Sequence, residues 1–198
     1  MTEQELHAFT AFLDRRPGHL YMLVDAAHDH KFIPLLREKQ FEIRSLYSGI
    51  KEVTLRNVAP YLVALPKPAQ QIQWIMQEHW GSGKCWSVIV ESEAGIEPVR
   101  IQLKKHLMIE LDGQQAYFRF YDARALERFI SVSSILQIQQ LLSAPIKRLY
   151  FIPEILSDAP LMALRWRPQA GIRSLLHSID YQLVAFHRQG DHYVENIQ

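Results

Sequence analysis

One cysteine, Cys85, is the whole thiol content of the 198-residue chain. That excludes an intramolecular disulfide framework and any CxxC redox or zinc motif, and it fits a reducing compartment. An excess of charge of one sign is missing as well: 22 Lys and Arg stand against 21 Asp and Glu, a formal net charge of +1. No global basic field is there to hold nucleic acid or an anionic membrane. Long apolar runs are absent, and stretches such as "SVIV" and "YLVAL" fall far short of a bilayer span. The opening "MTEQELHAFT" is acidic where a signal peptide is basic, so the expected compartment is the cytoplasm. Repeats and low-complexity tracts are lacking too.

What is present is a chain with 48% hydrophobic residues, enough for one sizeable core or a main domain with a small lobe. Helical spacing of Leu6, Phe9 and Leu13 follows a capping-box pair, Thr2 and Glu5, and "RPG" ends that helix. "HLYMLVDAA" reads as a buried strand ending on Asp25, "FIPLLREK" as a helix, and "EIRSLYSG" and "APYLVALP" as two more strands. A helix from Pro68 to Gly81, a strand in "CWSVIVES" and a helix around "IEPVRIQLKKHL" continue the alternation. The fold class is therefore α/β, a mixed sheet flanked by helices.

"LMIELDGQQAYFRFY" fixes a register, because Asp112-Gly113 is a favoured two-residue hairpin turn. Pairing Leu111 with Gln114 and Ile109 with Ala116 puts Ile109, Phe118 and Phe120 on a core face. Arg119 then lies on the other face, diagonal to Glu110. "DARALERFISVSSILQIQQLL" reads as one helix with Asp122 at its N-cap. "IKRLYFIP" and "LMALRWRP" are strands, and Ile172, Leu175, Leu176, Ile179 and Leu183 mark a final amphipathic helix ending near Gly190. A boundary at "SDAP" would divide an α/β lobe, 1–156, from a smaller and more helical C-terminal lobe, 157–198.

No motif for a metal or cofactor emerges. His28 and His30 lack a third ligand at useful spacing, "GSGK" follows a helix where a phosphate loop precedes one, and no GxSxG occurs. Asp25 and Asp122 could converge as a hydrolase's carboxylate pair, or each could be matched to Arg119 or Arg124 as a structural ion pair; the second reading is favoured. The last amphipathic helix, and Trp80, Trp86 and Trp166, are candidate partner-binding elements.

The ordered set "LYMLVDAA", "RSLYSG", "APYLV", "SVIVES", "LKKHL" and "FRFYDARALERFI" resembles the type VI secretion adaptor (effector chaperone) family, over roughly Leu20 to Phe151. The family's strand-end Asp falls on Asp25, its turn residues on Ser45 and Gly49, and its Arg, Asp and Arg on Arg119, Asp122 and Arg124. Ala123 stands where the family usually has proline. The resemblance implies a non-enzymatic, cofactor-free protein of a Gram-negative cytoplasm that binds a toxic effector, through the effector's N-terminal region, and promotes its loading onto the VgrG spike. An immunity-type inhibitor that binds and neutralises a toxin is the alternative of similar chemistry.

Overall fold

In the computed structural model, residues 3–68, 72–77, 87–111, 113–153, 161–166, 181–189 and 192–196 are described. In chain order the elements are α1 (Glu3–Asp14), β1 (His19–Asp25), α2 (Phe32–Glu38), β2 (Ile43–Ser45), α3 (Ile50–Thr54), β3 (Pro60–Leu65) and α4 (Gln73–Ile75). Then come β4 (Val88–Ser92), α5 (Ile96–Lys104), β5 (Met108–Leu111), β6 (Gln114–Tyr117), α6 (Ala123–Val132) and α7 (Ile135–Leu141). Four strands close the order: β7 (Ile146–Phe151), β8 (Leu161–Trp166), β9 (Tyr181–Gln189) and β10 (His192–Asn196).

Eight strands form one sheet in the order β10-β9-β8-β7-β4-β1-β3-β2, and β5-β6 is a separate hairpin. Every strand pairing among the described residues is antiparallel. Helices between strands create an α/β alternation in sequence without parallel neighbours in the sheet. Strand ends of both polarities therefore meet at each sheet edge, and Asp25 at the end of β1 lies opposite Pro60 at the start of β3.

The apolar run of β1 serves two cores at once, because successive side chains point to opposite faces. Leu20, Met22 and Val24 pack with Phe9, Phe12, Phe32 and Tyr150 on the side of α1 and α2. Tyr21 and Leu23 pack with Val99, Leu103, Phe118, Phe120 and Leu126 on the side of α5 and α6. Each fully buried Leu or Phe contributes about 1.5–3 kcal/mol relative to exposure. The hairpin joins the second core through Phe118 and Phe120, which places its other face toward solvent.

The hairpin register is as expected, with Leu111 opposite Gln114 and Ile109 opposite Ala116, and Gly113 takes φ +76°. Three expectations need correction. The helix expected over 122–142 is two, because Ser134 starts α7 with a capping box closed by Gln137. Arg119 does not reach toward Glu110: β6 ends at Tyr117, a turn closed by Asp122 N–H to Arg119 O (2.9 Å) follows, and the guanidinium swings to β1. Leu183 belongs to β9, opposite Leu164 of β8, and not to a helix. Val184, Ala185 and Phe186 are all buried, so this is a strand covered on both faces whose unbroken apolar pattern mimics helical spacing.

Ile172, Leu175, Leu176 and Ile179 lie outside the described residues, as does the "SDAP" boundary. Beyond residue 157 the described residues are strands continuing the same sheet. In the helix expected from Pro68 to Gly81, Pro68 and residues 72–77 are described; Ile72, Ile75 and Met76 are buried there around α4. Trp80, Cys85, Trp86 and "GSGK" lie outside the described residues.

Candidate functional site

Asp25 ends β1 and turns the chain by accepting Ala27 N–H at Oδ1 (2.9 Å). Its other oxygen receives Arg119 from the far side of the hairpin corner. The Asp25 side chain is 8% exposed and that of Arg119 46%, so the carboxylate is the buried partner and the guanidinium the wet one. Burial acts to lower the Arg119 pKa, but the facing carboxylate outweighs it and raises the group above its ordinary value.

Asp122 caps α6, accepting Arg124 N–H at Oδ1 (3.0 Å), while the Arg124 side chain grips both carboxylate oxygens at 3.0 and 2.8 Å. Burial alone would raise the Asp122 pKa; the hydrogen bonds and charge of Arg124 prevail and hold it below the ordinary carboxylate range. Both acids are thus matched to arginines, Asp25 to Arg119 and Asp122 to Arg124. Neither stands as an unpaired base beside the other.

A tyrosine network extends this corner across the surface. Ser45 Oγ accepts Tyr47 N–H (3.1 Å), and Arg100 ties the turn down by donating to Ser45 O (2.6 Å) and Tyr47 O (3.1 Å). Tyr47 and Tyr117 share a hydroxyl hydrogen bond of 2.8 Å with their rings edge to face. Burial and then the hydrogen bonds with Tyr47 and Tyr121 push the Tyr117 phenol well up. Tyr121, whose ring lies 5.8 Å from the Arg119 guanidinium carbon, is pushed up to about 12 chiefly by burial. The Tyr117 and Tyr121 phenols therefore stay protonated at neutral pH, as donors and acceptors rather than nucleophiles.

The structure therefore unites Asp25, Arg119, Asp122 and Arg124, and links Ser45 to them through Tyr47 and Tyr117. Gly49 stands apart: at φ +61° it starts α3, and a side chain there would meet no neighbour. Glycine is required for the backbone conformation and not for space. His28 and His30 flank Asp29, whose carboxylate accepts Lys31 N–H (2.9 Å) in a local turn. Among the described residues no group of three or more His, Cys, Asp or Glu side chains could hold a metal ion. No described helix is long and apolar enough to cross a membrane.

Two apolar surfaces escaped the sequence reading. On α3, Ile50 is 81% and Val53 71% exposed, beside Leu55 and Val58. The second is a groove of about 940 Å³ between the hairpin and α6–α7, lined by the exposed Val132 and Leu136 and by Phe118 and Phe129, whose rings are in contact. The helix break at Ser133-Ser134 was the available signal. It lets Val132 and Leu136 leave the buried stripe that one continuous helix would impose.

The fold is that of a three-layer α/β protein with a polar corner of paired ions. The family described as domain of unknown function DUF4123 matches residues 20–140, well over half of the chain, and the chain belongs to this family. The match takes in every corner residue from Asp25 to Arg124 and the groove as far as Gln140. No curated protein and no solved structure matches the chain.

Proposed function

We propose that this protein is a type VI secretion adaptor, which binds a cognate toxic effector in the cytoplasm of a Gram-negative bacterium and promotes its loading onto the VgrG spike. The observation that carries the reading is membership of the DUF4123 family, which is associated with such adaptors. Two features of the surface support it. The ionic corner is saturated by its own arginines, which suits a scaffold better than an acid–base site. Exposed apolar side chains on α3 and along the hairpin groove supply area that a partner can cover.

In this reading the adaptor acts by binding alone. It shields apolar segments of the effector, and the spike takes the effector over because it holds the loaded state more favourably. Co-purification of the tagged protein with the products of adjacent genes tests the proposal. Recovery of an effector together with a spike protein supports loading. A tight binary complex that abolishes toxicity without spike association supports the immunity-type alternative and contradicts the adaptor.

A further inference from the structure

The hairpin β5–β6 has an outer edge with which no described strand pairs. Its two-residue turn makes Leu111 and Gln114 a hydrogen-bonded pair, and the pattern alternates to Ile109 with Ala116. Phe118 N–H donates to Leu107 O at 2.9 Å, continuing the same phase. The N–H and C=O of Met108 and of Glu110 therefore point away from β6. Among the described residues no strand pairs with that edge.

The groove runs along this edge. Met108, Ile109 and Glu110 line it consecutively, as the margin of a strand does; a wall made by a strand's face would present every second residue. Across from them stand Phe129, Val132 and Leu136. The polar lining is mostly amide and hydroxyl, and its charges nearly cancel: Lys105 donates to Gln102 Oε1 (3.0 Å), and Glu110 is the opposing carboxylate. His106 adds no charge at neutral pH, because burial and the neighbouring Lys105 lower its pKa.

We propose that the β5 edge and its groove take up an extended, uncharged stretch of a partner polypeptide, added to β5 as a strand with alternate apolar side chains on Phe129, Val132 and Leu136. A helix laid in the groove would bury the outward N–H and C=O groups of Met108 and Glu110 without partners, whereas a strand satisfies them. Neutral amides along the walls match a peptide backbone, and with Lys105 and Glu110 of opposite sign in the lining no net charge is there to attract a charged segment. This deepens the adaptor reading by naming the surface that would hold an effector, and it rests on that reading only for the partner's identity.

The probe is a library of random dodecapeptides displayed on phage and selected on the full chain. Selected peptides are expected to alternate apolar with uncharged polar residues. On binding they slow hydrogen exchange at the Met108 and Glu110 amides at least tenfold. Glu110→Pro, which removes an outward N–H and no hairpin bond, should weaken binding at least tenfold, and so should Val132→Asp on the opposite wall. Recovery of no binding peptide, binding that leaves those two amides exchanging as before, or a Glu110→Pro variant that binds as tightly as wild type overturns the proposal. The exchange result on the unmodified protein decides if the proline variant fails to fold. Because the probe contains no effector, failure to capture an effector sinks the adaptor reading separately. An effector captured equally by wild type and Glu110→Pro leaves that reading standing and removes this one.

Discussion

Arg119 meets Asp25 across 94 residues of sequence, so the corner after the hairpin is fastened to the end of a central strand. This contact joins the second-core layer to the sheet at its polar rim. Because the arginine is half exposed, its net stabilisation is modest. A double-mutant cycle of Asp25→Ala and Arg119→Ala, read by urea unfolding, should give a coupling of about 0.5–1 kcal/mol. Zero coupling would mean that the two side chains are held independently by the turns around them.

Asp122 combines two roles that substitution can separate. Asp122→Ala removes the cap and the ion pair and should destabilise by about 0.5–2 kcal/mol. Any loss of partner binding should follow the loss of folded protein. Asp122→Asn can still cap α6 but cannot pair with Arg124 as a carboxylate. A variant that remains fully stable yet loses all binding would instead make Asp122 part of a contact surface.

The same residue sets an acid limit. Its pKa is held below the ordinary 3.8 in the folded chain, so its stabilisation is complete above that value and is lost as pH falls through the folded value. Unfolding free energy of the wild type should drop more steeply below about pH 4 than that of Asp122→Asn. Parallel curves would contradict the assignment.

His106 acts higher on the pH scale with the same sign. Burial lowers its pKa from 6.5, so the unfolded chain binds the proton first as pH falls. Stability should be at its plateau above about pH 6.5 and decline below it until the folded pKa is passed. His106→Gln should flatten that part of the profile, as measured by thermal unfolding in matched buffers.

Gly18 leaves no room for a side chain at the entrance to β1. A Cβ there would sit 2.6 Å from the carbonyl oxygen of Ser92, a backbone atom that must move to relieve it. Gly18→Ala should cost about 1–3 kcal/mol, in the range of overpacking. Gly49→Ala should also destabilise, but through its positive φ, since open space surrounds the position.

Much of this was legible in the sequence because local chemistry and global packing agreed. Asp112-Gly113 and the period-two pattern around it fixed the hairpin pairing, and Asp122 announced the start of α6. The matching of Asp25 and Asp122 to the two arginines followed from the cost of leaving charges unpaired. The partner of each acid was a tertiary matter: only the turn after Tyr117 decides that Arg119 reaches Asp25 and not Glu110. Strand direction was equally hidden, since alternating helices and strands are compatible with antiparallel neighbours when the connections cross the sheet. Leu183 was misplaced because a strand buried on both faces has no alternation to distinguish it from a helix. The groove was missed because Ser133-Ser134 can sit inside a helix by composition alone, while the capping box at Ser134 ends that possibility in the fold.

The most direct test of the adaptor reading is a secretion assay with the gene deleted and with it restored. One effector should vanish from the type VI secretome and from isolated spike complexes while spike export itself continues, and restoration should return both. Unchanged effector secretion, with no effector or spike protein retained by the tagged chain, would contradict the account.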